Sequence, residues 1–284
     1  MKIWKRLGYI LLCFFMFFPL FTACNDGEGD SVASSEHSSS VRTESASVKS
    51  YDVPDGVAIY EGARLYVEGE EVPLYRTKYN DAQTWSAQAT NRKDTGFAYF
   101  DFEGSVNVKL VYTMEIDVAY LVRPSAYGVV AKRDADENSV TFTLDVADNY
   151  SVEPINAPKQ AIYLFCNGLE TEEFYEGQEN VLYFGPGLHT AQNDARIGAD
   201  NVVRVRSGQT VYLAEGAVLR AKIQGDNVSN VRITGRGILD GSEFERDPTT
   251  GKVTVPIEFN LGQNITVENI VLNDPAGWCV QYYL

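Results

Sequence analysis

Two aspartates in similar surroundings have the residue type and spacing best suited to acid–base chemistry. Asp240 ends the apolar run of "GILDG", and Asp274 ends that of "IVLND", 34 positions later. If the two segments are equivalent, the carboxylates lie on one edge of the fold, where a pair can act as general acid and general base. Aspartates also occupy corners, where they accept hydrogen bonds from backbone N–H groups. We favour the corner interpretation and keep the catalytic one open.

Other residues that could carry chemistry are sparse. His37 and His189 have no Cys or His partner at the spacing of zinc ligands. Beside Cys24, only Cys166 and Cys279 remain in the sequence after residue 23, too few for a disulfide framework or a metal cluster. The stretch "GRGILDG" has neither the glycine spacing of a dinucleotide fingerprint nor the Gly-Lys-Ser/Thr of a P-loop. We therefore expect no metal and no cofactor.

The aspartates lie in a segment that repeats. "VYLAEGAVL", from Val211, aligns with "VRITGRGIL", from Val231, at a constant offset of 20 positions. This alignment pairs Val211 with Val231, Leu213 with Ile233, Val218 with Ile238 and Leu219 with Leu239. Offsets of 30 positions back and 34 forward add Val181, Tyr183 and Leu188, and Ile265, Val267 and Leu272, to the same columns. Four segments thus share one pattern of inward-facing aliphatic residues.

Such columns predict the first turns of a right-handed parallel β-helix over residues 171–284. Each turn pairs with the next at about 4.8 Å, and one turn cannot bury its apolar face without its neighbours. Gly216, Gly235 and Gly237 are expected where the chain bends sharply or approaches the next turn closely.

Residues 51–170 have a different pattern. Short runs such as "VNVKL" and "SVTFTL" alternate apolar and polar residues, with Gly or Asn between runs. This pattern predicts an antiparallel β-sandwich in front of the β-helix. Its aromatic residues are expected in the core rather than on a sugar-stacking face: Trp85, Phe97, Tyr99, Phe100 and Phe102.

The first 50 residues are read as targeting sequence and tether. Residues 1–23 have a basic start, an apolar run and small residues before Cys24, as in a secretory signal. "FTAC" resembles the bacterial lipoprotein box, which implies that Cys24 carries lipid; an ordinary secretion signal is the alternative. Residues 24–50 are Ser-rich and polar, and predict a disordered tether. The acidic "NDGEGD" resembles surface-export signals of some Gram-negative lipoproteins, which implies an outer-membrane or cell-surface location with membrane contact only through the lipid.

Three segments carry a family resemblance. "SGQTVYLAEGAVLRAKI", "NVRITGRGILDGSEF" and "NITVENIVLNDPAGWCVQ" resemble the opening β-helix turns of polygalacturonase-type glycoside hydrolases and of the related dextranase family. "FAYFDFEGSVNVKL" and "YLVRPSAYGVV" resemble the β-sandwich that precedes the catalytic domain in the dextranase family. The resemblance implies an enzyme that hydrolyses polysaccharides with inversion, using one carboxylic acid and one carboxylate.

The resemblance transfers no catalytic residue to this chain. The Asn-Thr-Asp-Gly-x-Asp stretch, the Asp-Asp pair and the Gly-His-Gly of the polygalacturonase family do not occur in the sequence. We therefore expect an N-terminal portion with an incomplete β-helix, inactive by itself and poorly soluble because its last turn presents an unpaired edge. Asn273, Asp274 and Trp278 are the candidates for contacting substrate.

The substrate class is only partly constrained. A formal charge of −15 argues against nucleic acid as a partner. A basic strip favours a uronate polymer, while a neutral glucan stays open; the strip contains Arg196, Arg204, Arg206, Arg220, Lys222, Arg232 and Arg236. Two other functions are considered: a pectate-lyase-like enzyme, which needs a carboxylate cluster for calcium and a base, and a non-catalytic glycan-binding or structural lipoprotein.

Overall fold

The computed structural model describes residues 46–81, 92–244, 247 and 249–283, and within them the chain folds into five β-sheets. Strands β1–β11 form two sheets with mostly antiparallel pairing, and strands β12–β23 form three parallel sheets. The predicted all-β class, a β-sandwich followed by a parallel β-helix, is confirmed. The described residues contain no helix long and apolar enough to span a membrane.

The sandwich consists of eleven strands and two short 3-10 helices within the described residues. Its first sheet has the order β1-β5-β11-β10-β7, with β4 also pairing with β5, and its second has the order β3-β2-β6-β9-β8. The strands are β1 Ser47–Lys49, β2 Ala63–Val67, β3 Glu70–Val72, β4 Tyr75–Asn80, β5 Arg92–Glu103, β6 Val106–Tyr112, β7 Tyr120–Arg123, β8 Lys132–Asp134, β9 Ser139–Leu144, β10 Asn149–Pro154 and β11 Ile162–Asn167. The 3-10 helices are Ser125–Tyr127 and Pro158–Gln160.

Period-2 alternation places the sandwich core. In β6, Val106, Val108 and Leu110 are buried, while the residues between them face outward. Phe100 and Phe102 of β5 are buried in the same core, which confirms the prediction for these two aromatic residues. Trp85 lies outside the described residues.

The predicted C-terminal boundary of the tether, residue 50, lies beyond the start of the first strand. Ser47–Lys49, which the sequence pattern assigned to the tether, form strand β1 and pair antiparallel with residues 101–103 of β5. The paired strand satisfies its backbone groups through β5, so this short polar segment is ordered without burying a large apolar face of its own. Residues 1–45, with Cys24 and the predicted signal, lie outside the described residues.

The β-helix contains four turns within the described residues, each contributing one strand to each of three parallel sheets. The first sheet contains β12 Val181–Phe184, β15 Thr210–Leu213, β18 Ser229–Gly235 and β21 Gln263–Val267. The second contains β13 Gly187–His189, β16 Ala217–Leu219, β19 Ile238–Asp240 and β22 Val271–Asn273. The third contains β14 Val202–Arg204, β17 Lys222–Asp226, β20 Ile257–Asn260 and β23 Val280–Tyr283.

The predicted columns are partly wrong in register. In the second sheet, Val218 pairs with Ile238 as predicted, but the prediction that this column faces inward is wrong, because both side chains pack against the sandwich. In the first sheet, Val211 pairs with Ile233, not with Val231, so the offset is not constant. The difference arises because the connection between the first and second sheets changes in length from turn to turn.

In the first turn of the β-helix, a register error of one residue changes which side chains are predicted to face the core. Leu182, not Val181, pairs with Val211, and Leu182 packs on the β-helix core. A shift of one residue moves a strand's side chains to its opposite face, so Val181 and Tyr183 lie on the outward side of their strand. The same kind of error affects the last turn, where Ile238 pairs with Val271 rather than Leu272.

Residues with positive φ turn the chain at corners close to the strand ends, and some of them lie one residue inside a strand. Asn230 (φ 55°) and Asn264 (φ 52°) occupy the same corner on successive turns, and the Asn264 amide donates to Asn230 Oδ1 at 2.6 Å. Asparagine tolerates this left-handed conformation better than most residues. Gly235 (φ 127°) has a second requirement, because a Cβ there would lie 2.0 Å from the carbonyl oxygen of Leu213. The prediction of bends and close approaches is therefore confirmed for Gly235.

The sandwich packs directly on the second parallel sheet. Tyr75, Phe97 and Tyr99 form a buried cluster with the outward residues Val218 and Ile238 of the β-helix. Burying each such aliphatic side chain contributes about 1.5–3 kcal/mol. Phe97 and Tyr99 are thus buried as predicted, but between the two regions rather than within the sandwich.

Candidate functional site

A polar cavity of about 270 Å³ lies where the sandwich meets the second parallel sheet. Residues 56–58 and strand β4 line one side of it. The other side is lined by the ends of β16, β19 and β22 and by the residues that follow β19. Asn273 and Asp274, two of the three predicted substrate contacts, line this cavity together with Asp240.

Asp240 is a fully satisfied carboxylate. It is only 3 % exposed, and its Oδ2 accepts from Arg220 Nε at 2.8 Å and from the Ser242 hydroxyl at 3.0 Å. Its Oδ1 accepts from the Ser242 backbone N–H at 3.1 Å and from Asn273 Nδ2 at 3.1 Å. The backbone bond is the one expected of a corner aspartate.

Asp274 is also buried and is held by cations from the sandwich. Its carboxylate contacts the Arg92 guanidinium and lies 3.7 Å from Lys78 Nζ. Its backbone is left-handed (φ 44°), as at other corners of the β-helix. The sequence alignment placed Asp240 and Asp274 at equivalent positions, and this is wrong by one residue. The residue opposite Asp240 is Asn273.

Asn273 has one unsatisfied acceptor. Its Nδ2 donates to Asp240, and its Oδ1 is buried without a hydrogen-bond donor among the described residues. A buried acceptor without a donor is costly, and a bound hydroxyl group or water supplies what is missing. Asn273 is therefore the side chain of this cavity best placed to receive a hydroxyl-rich ligand.

The two carboxylates are poorly suited to acid–base catalysis in this arrangement. Inverting hydrolysis needs one protonated carboxyl group and one carboxylate free to activate water. Asp240 accepts hydrogen bonds at both oxygens and pairs with Arg220, and Asp274 is ion-paired with Arg92 and Lys78, so neither carboxylate is free to activate water. The cavity can bind polar groups, but proton transfer by this pair is not supported, and the corner interpretation of Asp240 agrees with its hydrogen bonds.

Trp278, the third predicted contact, is placed apart from this cavity. It is 74 % exposed and does not line the cavity with Asn273 and Asp274. Its indole is nevertheless open to solvent, where an aromatic plane can contact a ligand. The structure thus brings together two of the three predicted residues.

The predicted basic strip is largely neutralised. Six of its seven members are ion-paired, and each partner is an aspartate or glutamate: Arg196 with Asp194, Arg204 with Asp200, Arg220 with Asp240, Lys222 with Glu258, Arg232 with Glu172 and Arg236 with Asp101. The strip therefore gives no support to a uronate substrate. Two partners, Asp194 and Asp200, lie within four residues of their arginines. The others come from another turn, from the segment before β12 or from the sandwich, and the sequence pattern did not indicate them.

A second group of titratable residues lies in the first turns of the β-helix. His189 Nδ1 contacts Asp194 at 2.8 Å and its Nε2 contacts the Gly185 carbonyl at 2.7 Å. Burial alone would raise the pKa of Asp194, but hydrogen bonds from Arg196 and His189 outweigh it and lower this pKa to about 2. The described residues contain no group of three or more His, Cys, Asp and Glu side chains arranged to hold a metal ion.

The residues that sequence reasoning missed come from the sandwich. Lys78 and Arg92 lie on β4 and β5, more than 180 positions before Asp274. Residues 56–58 and Arg76 also line the cavity. No motif connects these positions to Asp274, so the signal that unites them is the packing of the two regions.

The fold has known counterparts among solved structures. The chain matches no protein-family model and no curated protein. It is similar to Dex49A from Penicillium minioluteum, with a TM-score of 0.57 and 14% identity over 80% of this chain and 56% of that one. A family 28 exopolygalacturonase from Yersinia enterocolitica gives a TM-score of 0.23 and 11% identity over 61% of this chain and 54% of that one.

The match to Dex49A establishes the fold. Because 80% of the chain is more than either the sandwich or the β-helix contains, the similarity extends over both regions. The chain therefore shares its sandwich and parallel β-helix architecture with Dex49A. It spans a little over half the length of each of these two solved chains.

Proposed function

We propose that this chain is part of an exported glycoside hydrolase of the dextranase and polygalacturonase type, which cleaves a polysaccharide with inversion. The observation that carries the proposal is the combined sandwich and β-helix, which Dex49A shares over 80% of this chain. In this proposal, Asn273 and Asp274 contact the polysaccharide at the cavity and Trp278 offers an exposed ring. The catalytic acid and base are assigned to no residue, since Asp240 and Asp274 are held by cations.

Product analysis tests the hydrolase proposal. The natural protein, isolated from the cells that make it, is incubated with dextran and with polygalacturonan, and new reducing ends are counted. Release from one of the two polymers, with the inverted anomer detected first by NMR, supports the proposal. A folded protein that releases reducing ends from neither polymer contradicts it.

The residues of the cavity give a sharper test in the active protein. Asn273→Ala removes the unsatisfied acceptor, so we expect a higher KM with a smaller effect on kcat. Asn149→Ala, on strand β10 of the sandwich and outside both the cavity and the larger concavity of the sandwich, is the matched control and should leave hydrolysis unchanged. Equal kinetics for both variants would exclude Asn273 from substrate binding.

Non-catalytic glycan binding is the second candidate function. It is favoured by one observation, the neutralisation of both cavity carboxylates by Arg220, Arg92 and Lys78. In that case the protein binds a polysaccharide, and its mobility in a gel containing the polymer falls, while no reducing ends are released. The product analysis above separates the two functions.

Lipid attachment at Cys24 is a further part of the proposal. It is supported by the resemblance of "FTAC" to the lipoprotein box. Cells fed labelled palmitate should label the protein, and Cys24→Ser should abolish the label and move the protein out of the membrane fraction. Cys279→Ser is the control, because this exposed thiol lies at the other end of the chain. Labelling that survives Cys24→Ser would reject the anchor.

A further inference from the structure

A second and larger concavity lies on the sandwich, separate from the cavity described above. It has a volume of about 940 Å³ and opens on the outer face of the second sandwich sheet. The two concavities share no lining residue. The inner face of the same sheet forms the sandwich core, so this outer face is the one available to a ligand. We call it the sandwich groove.

Strand register places four side chains in a row across the groove. Tyr66 pairs with Lys109, Lys109 with Thr141, and Thr141 with Lys132. Neighbouring strands lie about 4.8 Å apart, so a phenol ring, an ammonium, a hydroxyl and a second ammonium follow one another across the sheet. A parallel row is formed by Asn107 and Thr143, whose hydroxyl donates to Asn107 Oδ1 at 3.2 Å.

The wall of the groove is preorganised. Tyr127, in the short 3-10 helix after β7, donates its hydroxyl to Asp148, and its ring centroid lies 5.8 Å from that of Tyr150. Tyr127 still exposes 41 % of its surface and Val130 exposes 70 %. Apolar surfaces beside regularly spaced polar groups suit a pyranose, which has apolar ring faces and a rim of hydroxyl groups.

The backbone of the groove argues against a peptide ligand. A peptide adds to a sheet through unpaired backbone groups at an edge strand. Strands β2, β6 and β9, which form the floor, are each paired on both sides. Their recognition groups are therefore side chains, and an extended peptide gains no backbone ladder there.

The charge of the groove contrasts with that of the chain. The chain has a net charge of −15, yet the charged residues lining the groove are Lys109, Lys132 and Asp145. Asp145 accepts a hydrogen bond from Ser105 at 2.6 Å, and Lys132 has no carboxylate partner among the described residues. Lys109 contacts Glu137, an exposed residue outside the groove lining, so part of its charge is offset and Lys132 is the cation open to an anionic ligand.

We propose that the sandwich groove binds an anionic, uronate-containing polysaccharide chain, with Lys109 and Lys132 facing its carboxylates and Tyr66 and Tyr127 contacting its rings. The site is independent of the proposed hydrolytic centre and needs no cleavage. The groove would give the protein a preference for anionic polysaccharides, which the neutralised basic strip of the β-helix does not provide.

Gel retardation by soluble polymers tests the proposal. The purified protein is run through gels containing sodium polygalacturonate, fully methyl-esterified polygalacturonan or dextran. We expect retardation by polygalacturonate, weaker retardation by the two neutral polymers, and loss of the difference as salt is raised. The double variant Lys109→Gln/Lys132→Gln should weaken binding of polygalacturonate roughly tenfold, as expected for two exposed ion pairs.

The matched control is Lys93→Gln/Lys252→Gln, which removes the same two charges from surfaces outside both concavities. Thermal unfolding of each variant verifies that the fold is retained. Retardation of Lys109→Gln/Lys132→Gln equal to that of Lys93→Gln/Lys252→Gln overturns the proposal, as does equal retardation by polygalacturonate and dextran. The outcome is distinct from that of the hydrolase test, because retardation is measured without counting reducing ends.

Discussion

Asn273 lies opposite Asp240 on the next turn of the β-helix, and its amide donates to the Asp240 carboxylate across 3.1 Å. Arg220 occupies the corresponding position one turn earlier, since Leu219 pairs with Leu239, and it binds the same carboxylate at 2.8 Å. An arginine, an aspartate and an asparagine thus form a polar ladder at the end of the apolar columns. The ladder explains why Asp240 resembles a catalytic residue in sequence while acting as a corner in the structure.

The first prediction concerns this ladder. Asp240→Ala leaves the Arg220 guanidinium without its buried partner, and we expect the free energy of unfolding to fall by about 3 kcal/mol. Asp200→Ala removes an exposed partner of Arg204 and should cost much less, because solvent screens an exposed ion pair. Urea unfolding measures both. Similar losses in the two variants would show that the ladder contributes no more than a surface ion pair.

The second prediction concerns the ion pair between the two regions. Asp101 of strand β5 is fully buried and accepts from Arg236 Nε of the β-helix at 3.0 Å. Arg236→Met leaves that carboxylate uncompensated and should lower the free energy of unfolding by about 3 kcal/mol. Adding Asp101→Leu should recover much of the loss, since an apolar pair replaces a buried charge. A double variant as unstable as Arg236→Met would contradict this explanation.

The pH dependence of the Arg236→Met variant follows from Asp101. Burial raises the pKa of Asp101, and the positive charge of Arg236 opposes that rise. A carboxyl group with a raised folded pKa favours the folded state at low pH and loses that contribution as pH rises through the folded pKa. The deficit of Arg236→Met should therefore be smaller near about pH 4 than at about pH 7. A deficit independent of pH would exclude Asp101 as its cause.

The third prediction concerns Asp194, whose pKa is lowered to about 2 from an ordinary value of 3.8. A lowered carboxyl pKa stabilises the folded state above about pH 4, and the contribution is lost as pH falls towards 2. At about pH 5, Asp194→Asn should be less stable than the natural protein by about 2 kcal/mol, and the gap should close near pH 2. Unfolding in urea across this range measures the gap. A constant difference would show that the charge of Asp194 is not responsible.

The fourth prediction concerns Gly235. Gly235→Ala places a Cβ against the Leu213 carbonyl on the preceding turn, so the two turns cannot keep their separation. Gly208→Ala is the matched control, since Gly208 also has positive φ (78°) but no atom within 4 Å of the added Cβ. The control should cost about 1 kcal/mol, the usual penalty of a left-handed alanine, and Gly235→Ala should cost clearly more. Equal melting temperatures for the two variants would contradict the close approach.

The sequence predicted the fold class because patterns among residues close together in the chain determine which strands form and how they stack. Alternation in "VNVKL" requires a strand with one buried face, and the aliphatic columns of "VYLAEGAVL" and "VRITGRGIL" require stacked turns. The third parallel sheet was not recognised, because the connections that lead from the second sheet into β14, β17, β20 and β23 vary widely in length. Register failed by one or two residues for the same reason, since a constant offset assumes loops of constant length.

For the polar residues of the cavity, too, the sequence and the tertiary structure contributed different information. By itself, the sequence determined the architecture of the chain and drew attention to Asp240, Asn273 and Asp274 as polar residues at the ends of apolar strands. Only the tertiary structure decided what these residues do, because the charges that hold Asp274 come from Lys78 and Arg92 of the sandwich. A strand pattern depends on neighbours along the chain, whereas the state of a carboxylate depends on every charge within a few ångströms.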